Sequence, residues 1–197
     1  MTFRISSLAA MVFDPATDAL AVIAAASPTA PQPGVPLGPL RLIDPVTGTL
    51  RTLLDGAVIA CFWSPDGQTI AALRLLIPSG APVARAGGLV LAATHDKYGQ
   101  AGSPAPSAGT AVGLDFIHVA SGLAQREQVV HLTDTLVSQL LPYFDQYALS
   151  HPLWSPDGRS IVLPLVDSAG QDELMVMPAD GSAPHAVAPG AVGFWGP

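Results

Sequence analysis

Apolar residues in this chain come in short runs bounded by Pro, Gly, Asp and Ser, and few of them are spaced for a helix. The clearest pattern is an apolar stretch ending in an aromatic, then Ser-Pro-Asp-Gly, then a second apolar, β-branched run. It occurs as Phe62-Trp63-Ser64-Pro65-Asp66-Gly67 leading into Thr69–Ile77, and as Leu153-Trp154-Ser155-Pro156-Asp157-Gly158 leading into Ile161–Val166. Pro pre-sets φ for a turn, Asp can bond its own backbone, and Gly takes positive φ without strain. The pattern therefore predicts strand, turn, strand. A second hairpin goes with each unit. The first joins Leu40–Asp44 to Thr49–Leu54 through Pro45–Gly48, and the second joins Leu114–Val119 to Gln125–Leu132 through Ala120–Gly122. The third joins Glu173–Met177 to Pro184–Ala188 through Pro178–Gly181.

Two weaker copies complete the series. Val12-Phe13-Asp14-Pro15 is degenerate, lacking the Trp, Ser and Gly, and Phe194-Trp195-Gly196-Pro197 is truncated. The aromatic positions 13, 63, 154 and 195 are 50, 91 and 41 residues apart. Repeats of that period with four short antiparallel strands describe propeller blades. The predicted fold is all-β: a partial β-propeller of about three four-stranded antiparallel blades plus a terminal strand, with one short helix in an inter-blade loop. The units are blade 1 at about 5–55, blade 2 at about 57–132, a linker helix and loop at 133–148, blade 3 at about 149–189, and a final strand at 191–195. Residues 78–110, rich in Pro, Gly, Ala and Ser and without an aromatic turn motif, read as a loop inserted in blade 2 rather than a further blade.

At these residues the chain resembles the TolB-type, WD-like β-propeller repeats. The carriers are Trp63, Ser64, Pro65, Asp66 and Gly67, then Trp154, Ser155, Pro156, Asp157 and Gly158, with Trp195 in the truncated copy. The resemblance implies a propeller scaffold, and the same propeller type also caps peptidases of the prolyl-oligopeptidase family.

With strands A to D in each blade and the Ser-Pro-Asp-Gly at the A–B turn, antiparallel pairing puts the B–C and D–A connections on one face. The long connections, 28–37, 78–110 and 133–150, all belong to that face, and binding residues concentrate on loops over rigid scaffolds. Within 133–150, Leu132, Leu136, Leu140 and Leu141 have helical spacing. Asp134 can cap the start, and Pro142 limits the helix. The leucines are expected to pack on the propeller, and Tyr143, Phe144 and Tyr147 are the candidate partner contacts.

Composition narrows the function classes. Hydrophobic residues make up 49% and charged residues 12%, so a core can form and global disorder is excluded. The 19 Gly and 20 Pro fit many turns and few long helices. The net charge is −7 and Lys97 is the only lysine, which argues against counterion-releasing contact with nucleic acid. No apolar stretch near the N-terminus reaches the roughly 20 residues of a membrane span. Asp14, Pro15 and Asp18 interrupt the apolar region a signal peptide needs, and no compartment is assigned.

Catalytic chemistry is not apparent. His95, His118, His131, His151 and His185 are far apart, without the close pairing of zinc sites. His151, ahead of the Trp154 turn, reads as a structural donor. Asp66 and Asp157 recur at equivalent turns, which points to turn chemistry rather than a carboxylate pair. Cys61, the single cysteine, sits among apolar neighbours on a predicted strand and reads as a buried inert thiol. Trp63 and Trp154 read as packing between blades. The expectation is a non-enzymatic module, without cofactor or metal, that binds a protein or peptide through its loop-rich face. The alternatives are the substrate-gating propeller piece of a prolyl-oligopeptidase-like hydrolase, or a truncated product without independent function. Three blades fall short of the four to eight of a ring, so open edges invite self-association.

Overall fold

The computed structural model describes residues 9–24, 36–76, 109–148 and 150–196. Among the described residues ten strands follow one another as an antiparallel meander, each pairing with its neighbours in sequence. They are β1 (Ala9–Phe13), β2 (Leu20–Ala24), β3 (Gly38–Ile43), β4 (Leu50–Trp63), β5 (Thr69–Leu75), β6 (Thr110–His118), β7 (Leu123–Leu132), β8 (Ser160–Val166), β9 (Asp172–Pro178) and β10 (His185–Pro189). The all-β, partial-propeller architecture is therefore present. Most of the 28–37 and 78–110 loops lies outside the described residues. β5 and β6 nevertheless pair directly from Thr69–His118 to Leu75–Val112, so no strand separates them.

Blade 1 is β1, β2, β3 and the first part of β4. β4 then continues, through Gly56 at φ +102°, into the inner strand of blade 2. Leu50–Leu54 pairs with β3, and Ala60–Trp63 pairs with β5. Outer strand D of one blade and inner strand A of the next are thus one chain segment bent at a glycine, a conformation a Cβ would strain.

Directly opposed residues share a sheet face. In blade 1, Ala10, Val12, Ala21, Ile23 and Leu40 are buried on one face, while Met11 and Phe13 are exposed on the other. In blade 2, Ile70, Ala71, Ala72 and Leu73 of β5 are all fully buried, so both faces of that blade are covered. This is why the run after Gly67 is apolar without alternation.

The blades are joined by a repeated polar contact. The Trp63 indole N–H donates to the Val12 carbonyl at 3.1 Å, and the Trp154 indole N–H donates to the Phe62 carbonyl at 2.9 Å. Each acceptor is the residue just before the aromatic position of the preceding blade. Trp63 and Trp154 therefore pack between blades and anchor one to the next. Arg51 of blade 1 adds a guanidinium contact to the carbonyl of Val119 in the C–D turn of blade 2.

The stretch expected as a final strand, 191–195, forms no ladder in the described residues. It leaves β10 through Gly190, whose N–H donates to Asp172, and runs beside the inner strand of blade 3, where the Trp195 N–H donates to the Pro152 carbonyl. It follows the path of a next inner strand, but the described residues carry no B strand to pair with it. Among the described residues the Trp195 indole N–H is buried with no partner.

These contacts separate the tryptophans energetically. Trp154→Phe removes a buried hydrogen bond and is expected to lower stability by about 1–3 kcal/mol. Trp195→Phe, which has no such bond to lose, is expected to cost less. Urea unfolding of both variants checks the order.

Candidate functional site

The linker between blades 2 and 3 interrupts an inner strand. β7 ends at Leu132, the partner of Leu165 in β8, and the Thr133 N–H donates to the Pro164 carbonyl. The ladder beside β8 resumes with Val162 N–H donating to the Leu153 carbonyl and Trp154 bridged to Ile161. Leu132–Thr133 and Leu153–Trp154 are therefore two halves of one inner strand, and the residues between them are spliced into it. Pro164 fits this break. Val162 points its N–H at the inner strand, so the missing N–H of Pro164, two residues on, faces the gap. The spliced segment packs on the inner strands, with Phe144 against Phe62 of β4.

The segment is helical in three pieces: a π-helical turn Leu136–Leu140, a 3-10 turn Leu141–Tyr143 and an α-helical turn Phe144–Tyr147. Its start is capped by buried Thr133, whose Oγ1 accepts from the Leu136 N–H at 3.2 Å, and not by Asp134. Pro142 does not end it. Pro142 sits in the first turn of the 3-10 piece, where no intrahelical N–H is required. Leu136, Val137 and Leu141 are buried, as leucines packing on the propeller should be.

Phe144 is 1% exposed and meets Phe62 edge-on at 5.8 Å between ring centroids. Its side chain belongs to the core, which removes it from the candidate partner contacts. The i, i+4 spacing explains the difference: Tyr143 and Tyr147 share the outward side of the segment while Phe144 turns inward. Tyr143 and Tyr147 are 48% and 39% exposed.

These tyrosines begin a row of rings. Tyr143 lies 6.3 Å from Tyr147, Tyr147 lies 5.0 Å from His151, and His151 lies 4.6 Å from Phe194, all edge-on. The Ser150 hydroxyl, 2.7 Å from His151 Nδ1, helps hold that ring. Neither His151 nor Phe194 stood out as a contact residue in the sequence. The spacing 143, 147, 151 was a legible signal for His151, whereas Phe194 arrives by tertiary folding.

Two apolar clefts flank the row. One, about 180 Å³, lies where the inner strands converge and is lined by Phe13, Pro15, Phe62, Trp63, Pro65 and Phe144 among others. The second, about 220 Å³, lies between the helical segment and the C-terminal stretch, with Gln139, Pro164 and Val192 in its wall. Tyr147 and His151 line both. Each is below the roughly 300 Å³ at which small-molecule pockets begin, so each suits one or two side chains.

The repeated turns are self-contained. In the Ser64 turn, the Ser64 hydroxyl donates to Asp66 Oδ1 at 2.6 Å, and Oδ1 also accepts from the Gln68 N–H, while Ser64 Oγ accepts from the Thr69 N–H. Ser155, Asp157, Arg159 and Ser160 repeat this network. Pro65 and Pro156 set the turns, and Gly67 and Gly158 both take φ +68°. The degenerate copy closes the same way with different parts: Asp14 stands at the Ser position and accepts from the Ala16 N–H and the Thr17 hydroxyl. The Gly67 position also faces Asp14, where an added Cβ would come within 2.3 Å of a carboxylate oxygen. The Asp66 and Asp157 carboxyls are held below the ordinary value, first by their Ser hydroxyls and then by backbone N–H groups. Each carboxylate serves its own turn.

Cys61 is buried on β4, and burial, with a smaller effect from Asp145, pushes its thiol up to about 12. Among the described residues no three His, Cys, Asp or Glu side chains gather as a metal site, and no helix is long and apolar enough to cross a membrane.

The geometry defines a class: a partial β-propeller whose inner strands enclose a spliced helical segment. No protein-family model matches the chain, and no curated protein matches it. Among solved structures it is similar to TolB from Acinetobacter baumannii, at 14% identity over 91% of this chain with a TM-score of 0.40. It is also similar to a chain of a mitotic checkpoint complex, at 12% identity over 92% with a TM-score of 0.34. The chain spans 30% of the TolB chain and 51% of the checkpoint chain.

Two outcomes follow from the buried thiol and the turn carboxylates. Cys61 is expected to resist aromatic disulfide reagents in the native protein and to react fully in denaturant, as followed by absorbance. For the carboxylates, a folded-state value below the unfolded one means stability is present above about pH 4 and is lost as pH falls through the lowered values. Asp66→Ala with Asp157→Ala is therefore expected to flatten the acid limb of a stability–pH curve below about pH 4 while lowering stability at neutral pH.

Proposed function

We propose that this chain is a non-enzymatic β-propeller module that binds a protein or peptide. The single observation that carries this reading is the exposed row Tyr143, Tyr147, His151 and Phe194, flanked by two clefts of side-chain size. Rings that are partly exposed yet held by neighbours offer large contact area at low entropic cost. An extended peptide laid along the row could place one apolar side chain in each cleft. The Trp-Ser-Pro-Asp-Gly turns support grouping the blades with TolB-type, WD-like repeats.

The absence of catalysis is part of the proposal. Asp66 and Asp157 are occupied by their own turns, and the Ser150–His151 pair has no carboxylate beside the imidazole among the described residues, as an activated serine would require.

Panning a random-peptide display library on the native protein tests the reading. Peptides with a shared apolar pattern are expected to be enriched, and Tyr143→Ala with Tyr147→Ala is expected to weaken them tenfold or more by fluorescence anisotropy. No enrichment, or equal binding by the double variant, would reject the aromatic row as the binding surface.

A further inference from the structure

We propose that the first cleft takes a basic side chain of the bound peptide, its aliphatic stem among the rings and its cationic head beside the β1–β2 and β4–β5 turns. The inference rests on the peptide-binding reading above and names what one of the two clefts selects. Phe13, Phe62, Trp63 and Tyr147 line this cleft, with Pro15 and Pro65 at the end where the strands turn. Phe13 is 67% and Tyr147 39% exposed, so a ligand meets rings at the rim. A ring face attracts a cation through its π quadrupole.

Two features set the sign of the charge. First, both indoles in the wall have spent their donors: the Trp63 and Trp154 N–H groups go to main-chain carbonyls, so neither can serve an anion. Second, the local charge is negative. Asp14 precedes Pro15 and Asp66 follows Pro65. Gly67 packs on the Asp14 carboxylate, so the two acidic turns abut at this end of the cleft. The hydrogen-bond donors to these carboxylates are neutral: the Ala16 N–H and Thr17 hydroxyl for Asp14, the Ser64 hydroxyl and Gln68 N–H for Asp66. The stretches 9–24, 60–68 and 133–158 supply every residue of the cleft, and none contains Lys or Arg. An apolar slot of side-chain size that ends at unneutralised carboxylates matches a side chain with an apolar stem and a cationic tip. Lys and Arg have that form and bury the stem while the head stays near water.

Peptides enriched by panning on the native protein, measured by fluorescence anisotropy, test the proposal. A basic residue is expected at one fixed place in the enriched pattern. Its uncharged counterpart, citrulline for arginine or acetyl-lysine for lysine, is expected to bind about tenfold more weakly. Salt should weaken the charged peptide and leave the uncharged one nearly unaffected. Phe13→Leu keeps the wall apolar but removes a ring, and is expected to weaken the charged peptide about fivefold while sparing the uncharged one. Should Phe13→Leu fold poorly, Asp66→Asn makes the same comparison from the side of the carboxylate. Equal losses for the two peptides put the basic residue outside this cleft and overturn the proposal. Enriched peptides that need Tyr143 and Tyr147 but carry no basic residue, or that bind equally well once uncharged, also overturn it, and leave the aromatic row as the binding surface. Failure to enrich any peptide removes both readings.

Discussion

The structure depends on one buried hydrogen bond made twice: an indole N–H of one blade reaching a main-chain carbonyl at the end of the preceding inner strand. Apolar packing between sheets is non-directional and would tolerate sliding. A bond to one named carbonyl does not. Its two occurrences fix blade 2 on blade 1 and blade 3 on blade 2 at the same relative height, so the turns line up. The alignment shows in the glycines: Gly67 abuts Asp14, and Gly158 sits 3.5 Å from the Asp66 carboxyl when a Cβ is placed on it.

Given that frame, the break in the inner strand of blade 3 decides where the surface chemistry lies. The sheet tolerates the break because Pro164 has no N–H to offer across it. The inserted residues emerge among the inner strands, so Phe144 and Leu141 join the core while Tyr143 and Tyr147 reach solvent. The candidate site is thus a by-product of an interrupted ladder, and its rings are positioned by core residues rather than by loop structure.

The strands and turns were legible in the sequence because their signals are local. The Ser-Pro-Asp-Gly tetrads carry their own hydrogen-bond networks, and the apolar runs of β5 and β8 are long enough to be recognised. The splice was not legible. Leu132 and Leu153 become halves of one strand only through β8, a non-local pairing with no period to betray it. Thr133 and Asp134 are equally able to cap in isolation, and only the fold selects Thr133. Phe144 was grouped with its aromatic neighbours because composition does not say which side of a helical turn faces inward. Phe194 reaches His151 from more than forty residues away, which no local pattern encodes.

The meander also bears on how the chain folds. Every ladder among the described residues joins consecutive strands, so the tight hairpins can form with little loop-closure cost. Blade 3 adds a pairing of a different kind. Its inner strand assembles from pieces separated by about twenty residues, and neither piece alone offers β8 a full edge. Blade 3 therefore gains a complete inner strand only when the spliced segment folds back and brings Leu153–Trp154 into line with Leu132–Thr133.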